Sequence, residues 1–435
     1  MKAFEKIIGY ESIKKELAQI SDVLANNEVY QKLGVSSPRG LLLHGVPGVG
    51  KTLMASAVIH ASGRKAFICR KDKPNGDFVK AIKKTFKDAA EAAPSIVFLD
   101  DMDKFANGDE HHTDTDEYVT VQSCIDAVKG KEVFVLATAN RLHVLPRSLR
   151  RAGRFDRVIE VHNPHGEDAV KIIDHYMKKK KFVGDIDAVS VARIMDGHSC
   201  AELETVINEA GLYAGFERSD EITMDHFMRA CLHTIHNVPN EVLNGTDFDT
   251  DLTDGNDPRT RVIYHEAGHA TVAEVLNPGS VTLISAYSRE WESGGFTSYY
   301  GNGFSGAAES QQKRILGALG GMAALDQKFG IIDLGISGDL DQAFRSVWNL
   351  VTENCLCGFH LHSNSYNDSG DLKAKQEQAT AAEVERFYKK TKEILSLNHE
   401  FFEAIAKALS VKGVLAASDI QRIRSDCQCV PVHIG

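Results

Sequence analysis

Residues 265 to 269 read His265-Glu266-Ala267-Gly268-His269, a spacing with a definite chemical use. Histidines at i and i+4 lie one turn apart on the same side of a helix, so two imidazoles face one point. A divalent cation such as zinc accepts imidazole nitrogen, and a catalytic zinc takes three protein ligands and leaves its fourth position open. Glu266 stands slightly aside from the pair, placed to act as general base towards an attacking water, which is the arrangement of metal-assisted hydrolysis of a carbonyl. Asp257-Pro258 suits the start of the helix that must carry these groups, and Asn277-Pro278-Gly279 suits its end. Val262, Ile263, Val272 and Leu276 give that helix apolar positions to bury. Spacing alone leaves the third ligand open among Asp326, Asp333, Asp339 and Asp341.

A second chemistry lies two hundred residues earlier. Gly45-Val46-Pro47-Gly48-Val49-Gly50-Lys51-Thr52, running on into Leu53, has the pattern of a phosphate-binding loop. Its glycines let backbone N–H groups close around the β- and γ-phosphates of ATP, Lys51 adds a point charge, and the Thr52 hydroxyl can ligate Mg2+. Downstream, Ser95-Ile96-Val97-Phe98-Leu99 ends in Asp100 and Asp101. Asp100 would hold magnesium through water and Asp101 would orient and deprotonate the attacking water. A further apolar run ends in Asn140, placed to contact that water or the γ-phosphate, and RSLRRAGRFDR follows with five arginines in eleven residues. A guanidinium there could reach a neighbouring subunit's γ-phosphate.

The elements needed to position these groups are legible around them. Up to about residue 160, GLLLH, SIVFL and VFVLATAN alternate with helical patterns, which predicts a parallel sheet covered by helices on both faces, the α/β arrangement of P-loop proteins. Residues 161–238 read as short consecutive helices, 239–258 as a polar, acidic linker, 259–425 as a mainly helical domain with one β-like insertion, SVTLISAY then GGFTSYY, and 426–435 as a tail. Around Gly295 to Ser298 that insertion reads either as an edge strand that accepts an extended polypeptide or as the outer strand of a plain hairpin.

Composition narrows the classes. A net charge of −10 argues against a nucleic-acid partner, and the Lys178–Lys181 run suits the C-terminus of the amphipathic stretch before it. Eight scattered cysteines fit a reducing compartment, and no run of 18 apolar residues occurs, so the expectation is a cytoplasmic chain without a membrane span. The CLCGFHLH segment, Cys355 to His362, lacks structural-zinc spacing and reads as packing or surface.

Together GVPGVGKT, IVFLDD, LATAN and LRRAGRFDR resemble the large subdomain of AAA+ ATPases, and GHSCAELETVINEAGLYA resembles their lid helix. The resemblance implies that Asn140 is the sensor residue, that Arg154 and Arg157 act across a subunit boundary, and that the working unit is a ring, a homohexamer by analogy. With HEAGH following the lid, the chain resembles the FtsH family of ATP-dependent zinc metalloproteases, in which LGISGDLDQA matches the segment carrying the carboxylate ligand. That match implies Asp339, with zinc, ATP and magnesium as cofactors and proteins or polypeptides as substrates. Four departures accompany the likeness. Asp101 stands where the family has glutamate. CRKDKPNGDFVKAIKK replaces the aromatic-glycine pore loop, with Phe78 read as core in preference to pore. Met322 and Leu325 replace charged residues behind the zinc helix. The N-terminal membrane helices of the family have no counterpart here, the mark of a soluble member or of a truncated, membrane-associated or organellar form. The alternative function is a non-proteolytic AAA+ remodelling or regulatory subunit with impaired ATPase.

Overall fold

The computed structural model describes residues 2–72, 74–106, 115–184, 186–240, 243, 250–288, 294–301, 307–331, 337–354 and 370–434. Contacts divide the chain into two units, Met1–Ile222 and Thr223–Gly435. The first unit contains α1 (Glu11–Ala25), α2 (Asn27–Lys32), β1 (Gly40–His44), α3 (Lys51–Ser62), β2 (Lys65–Cys69), α4 (Asn75–Glu91), β3 (Ser95–Leu99), α5 (Asp116–Ala127), β4 (Val133–Ala139) and β5 (Arg157–Glu160). After them come α6 (Gly166–Met177), α7 (Ala188–Ile194) and α8 (Cys200–Phe216). The strands form one sheet in the order β2-β3-β4-β1-β5, and every pair is parallel. The three central strands are unbroken apolar runs buried along nearly their whole length, as a sheet covered on both faces requires.

The sheet has two more strands than the sequence patterns announce. β2 (KAFIC) and β5 (RVIE) carry charge and exposed positions because they lie at the two edges, where one side meets no further strand. VFVLATA is therefore followed by another strand, and Arg157 opens it. Phe78 on α4 is fully buried and meets Phe105 edge to face at 4.8 Å, within the core that also holds Ile82, Phe86, Val97 and Leu99. Its aromatic ring belongs to packing. At the start of α8, Ser199 and Glu202 form a reciprocal capping box, and the same turn docks on the phosphate loop through Ala201 N–H donating to the Gly48 carbonyl at 3.1 Å.

The second unit contains α9 (Met224–Thr234), α10 (Pro258–Leu276), β6 (Val281–Ser285), β7 (Phe296–Tyr299), α11 (Ala308–Ala318), α12 (Gly320–Phe329), α13 (Ser337–Thr352), α14 (Gly370–Leu397), α15 (His399–Lys412), β8 (Val414–Ala416) and α16 (Ala417–Asp426). α10 is its hub, packed by α11, α12, α14 and α15. Ile263, Val272 and Leu276 are buried as their pattern suggests and Val262 is half-buried. Asp257 caps the helix by accepting from Thr260 N–H at 2.9 Å, with Pro258 in the first turn. The β-like insertion becomes β6 and β7, and a third strand, β8, completes an antiparallel sheet ordered β7-β6-β8. β8 has three residues between two helices, too few for periodicity to register. Among the described residues no helix is long and apolar enough to cross a membrane. Cys355, Cys357, His360 and His362 lie outside the described residues, as do Asp333 and residues 244–249 of the linker segment.

Candidate metal centre and nucleotide site

α10 brings the two histidine rings together almost at right angles, with centroids 4.6 Å apart. His265 Nε2 and His269 Nε2 are 3.0 Å from each other, and Asp339 Oδ2, near the start of α13, lies 3.1 Å from the first and 3.2 Å from the second. Among the described residues these three form the one cluster of potential ligands whose donor atoms converge, all within 4.8 Å. Zinc bonds of about 2.0–2.1 Å imply edges of roughly 3.3 Å in a ligand tetrahedron, so the observed triangle needs only a slight expansion to hold zinc. His269 Nδ1 donates to the Gly317 carbonyl at 2.8 Å, which orients the ring and turns its Nε2 towards the convergence.

Electrostatics sharpen the cluster. Burial disfavours charge on His269, but hydrogen bonding and charge from Asp339, with Glu266 behind it, outweigh burial and hold its pKa at about 9. Burial would raise Asp339, yet its hydrogen bonds to both histidines and their charges carry it well below the usual carboxylate range. The other aspartates are used differently. Asp326 accepts from Tyr388 and Lys392, and Asp341 is exposed.

The centre depends on residues that motif spacing does not reveal. Gly321 on α12 faces the His265 ring so closely that a Cβ there would stand 2.3 Å from Cε1 and 2.4 Å from Nδ1. Glu266, 4% exposed, accepts from the Thr297 hydroxyl through Oε2 at 2.8 Å. Gly295, just before β7, leaves the space in which the Glu266 chain lies: a Cβ there would come 2.8 Å from Glu266 Cγ. The sequence signals were the Gly320-Gly321 pair and the glycine preceding the insertion's second strand, both readable only once the partner helix is known. Of Met322 and Leu325, the two departures behind the zinc helix, Leu325 is buried, and the backbone of Gly317 supplies the oxygen that orients His269.

At the nucleotide site, β1 delivers the Gly45–Gly50 loop, with Pro47 within it and Val49 buried, into α3, whose first residues are Lys51, Thr52 and Leu53. Lys51 Nζ donates to the Gly45 and Val46 carbonyls at 2.8 Å each. Asp100, at the end of β3 and 2% exposed, accepts from Thr52 Oγ1 at 3.3 Å and from Thr138 Oγ1 at 2.7 Å through Oδ1. Its Oδ2 is taken by the Arg70 guanidinium at the end of β2, a partner the sequence did not suggest. Asp101 has a left-handed backbone, φ 54°, and its carboxylate pairs with Lys104 at 2.8 Å. Asn140, at the end of β4, is held by its N–H donating to buried Asp103 at 2.8 Å and borders an open cleft with His44, Gly45, Val46, Arg147 and Glu160. The two predicted fingers differ. Arg154 is bound within its own chain, donating to Asp126, Gln122 and the Ser148 carbonyl, whereas Arg157 is exposed at the start of β5. Hydrogen bonds from Arg154 and Lys129 carry the Asp126 pKa down to about 2.

Comparison with known proteins accounts for both sites in one chain. Residues 41–163 match the family model of the ATPase family associated with various cellular activities, 185–229 the AAA+ lid domain, and 255–423 Peptidase family M41. The chain is 29% identical to the ATP-dependent zinc metalloprotease FtsH of Pelobacter propionicus, over 97% of this chain and 71% of the relative. It is 29% identical to the Mycoplasma pneumoniae FtsH and 30% identical to that of Mycoplasma genitalium, in each case over 98% of this chain and 63% of the relative. The chain thus spans a little under two thirds of the length of the two mycoplasma relatives. An ATPase model, its lid and an M41 peptidase model fall in this order along one polypeptide that holds a phosphate loop and a converging His–His–Asp cluster, and along nearly its whole length the chain is similar to proteins named ATP-dependent zinc metalloprotease FtsH.

Proposed function

We propose that this chain is an ATP-dependent zinc endopeptidase that opens folded or tagged proteins in a homohexameric ring and cuts the delivered polypeptide at the α10 centre. The observation that carries the reading is the convergence of His265 Nε2, His269 Nε2 and Asp339 Oδ2 within about one ligand triangle. When bound there, zinc supplies Lewis acidity and lowers the pKa of water to roughly 7. Glu266 takes the proton from the attacking water and passes it to the leaving amine, its side chain held in a site that excludes bulk solvent. β7 is an edge strand of its sheet and lies beside Glu266, which supports the stretch Gly295–Ser298 as the element that pairs with an extended substrate backbone.

In the ATPase unit, Lys51 and the loop N–H groups hold the phosphates, and Thr52 and Asp100 surround the magnesium position. Asp101 and Asn140 orient the hydrolytic water, and of the two arginines the exposed Arg157 reaches the neighbouring subunit's phosphate, while Arg154, tied to Asp126 and Gln122, braces the segment that carries it. Unfolding a domain costs on the order of 5–15 kcal/mol, which peptide hydrolysis at a buried cleft does not supply, and this gives the ATPase its purpose. The proposed boundaries are 1–160 and 161–238 for the ATPase and its lid, a linker at 239–258, and 259–425 for the peptidase. The second reading, a non-proteolytic remodelling subunit, draws support from two observations: Phe78 is buried in the core, and Asp101 is paired with Lys104. It requires ATP binding without turnover.

The test uses the full chain with zinc, magnesium, ATP and casein. Glu266→Gln abolishes casein cleavage and leaves ATP hydrolysis intact. Continued cleavage by that variant would remove Glu266 from its assigned place.

A further inference from the structure

A buried glutamate that must accept a proton from one direction needs its other oxygen fixed, because its side chain otherwise samples several rotamers. Around Glu266 that restraint comes from one strand. Thr297 Oγ1 donates to Glu266 Oε2 at 2.8 Å, and its 3.4 Å separation from the Glu266 carbonyl makes the carboxylate the better acceptor for a single hydroxyl proton. Threonine is β-branched and stiff at χ1, so its hydroxyl direction is set by the strand backbone. That backbone is fixed in turn by antiparallel pairing with β6, Thr297 opposite Ile284, and by Phe296, which is buried next to it and stacks on His236 at 4.2 Å. Two residues earlier, Gly295 has no side chain, and the space a Cβ would take is occupied by the Ser285 carbonyl oxygen at 2.3 Å, Glu266 Cγ at 2.8 Å and Val262 Cγ1 at 3.0 Å.

We infer that Thr297 is a positioning residue for the general base, and that β7, through Thr297 and the clearance at Gly295, sets the direction of the Glu266 carboxylate. This rests on the assignment of Glu266 as base. It goes further in giving β7 two tasks: the strand whose main chain receives substrate also holds the proton acceptor. Substrate pairing along the edge therefore stiffens the element that aims the base. Thr297 touches neither the ligand atoms nor the scissile bond, so its removal acts on turnover and leaves ligand and substrate affinity in place.

The experiment compares Thr297→Val, Thr297→Ser and Glu266→Gln with the unaltered chain, using a short quenched-fluorescent peptide that needs no unfolding, with zinc content measured on the same preparations. Thr297→Val is expected to lower kcat by ~10- to 100-fold, with KM and zinc stoichiometry unchanged, and Thr297→Ser to restore kcat to within about threefold of the unaltered chain. An unchanged kcat in Thr297→Val overturns the inference. Loss of zinc or of the folded state in that variant overturns it as well, since it assigns Thr297 to holding the domain together. Glu266→Gln serves as the separate check on the parent assignment: if it still cleaves the peptide, the base itself is misassigned.

Discussion

Replacing Gly321 by alanine tests the metal centre through a residue that bears no chemistry of its own. The added Cβ would stand 2.3 Å from His265 Cε1, 2.4 Å from Nδ1 and 2.6 Å from Nε2. Ordinary contact begins near 3.4 Å, so the ring or α12 must retreat by about 1 Å, and zinc–ligand distances tolerate only about ±0.2 Å. Two effects on folding oppose each other. Alanine in place of glycine in a helix gains up to ~1 kcal/mol, whereas overpacking a well-filled contact costs roughly 1–3 kcal/mol. The net effect on the fold therefore runs from nearly neutral to a loss of up to about 3 kcal/mol. The metal site has no such compensation, because rotating His265 away from Asp339 Oδ2 and His269 Nε2 dissolves the triangle. Zinc affinity, measured by competition with a chromophoric chelator, should fall by at least ~10-fold and peptide cleavage with it, while nucleotide affinity, read in the other unit, stays unchanged. A Gly321→Ala chain that binds zinc with full stoichiometry and unaltered affinity would refute the claim that this glycine makes room for the His265 ring.

Arg70→Ala leaves the buried Asp100 without its cationic partner; the nucleotide-free chain should unfold at a lower denaturant concentration than the unaltered chain, with magnesium nucleotide narrowing the difference. Asp126 has a folded pKa of about 2, below its ordinary value, so the stability it contributes with Arg154 is present above about pH 4 and is lost as pH falls towards 2. Asp126→Asn should flatten that part of the acid-unfolding profile, which circular dichroism against pH would reveal.

Much of this molecule could be read before any coordinates. The three central strands of the parallel sheet are continuous apolar runs, and the phosphate loop, the strand-end aspartates and the HEAGH helix with its Asp257-Pro258 start depend on local spacing. Local rules suffice there because hydrogen bonding and periodicity act within a few residues. β2, β5 and β8 escaped because edge and very short strands lack a full apolar face.

The sequence by itself determined the chemistry available: two imidazoles and a carboxylate base on one helix, and a triphosphate grip on another. Only the tertiary structure decided which distant groups complete them. Asp339 is seventy positions or more from the histidines it meets, Gly321 and Thr297 reach the centre from separate elements, and Arg70 reaches Asp100 from the neighbouring strand. Those meetings arise from the packing of α12 and β7 on α10, of α13 on α11 and α14, and of β2 on β3. No local periodicity encodes them, since contact between elements is set by the shared burial of whole faces.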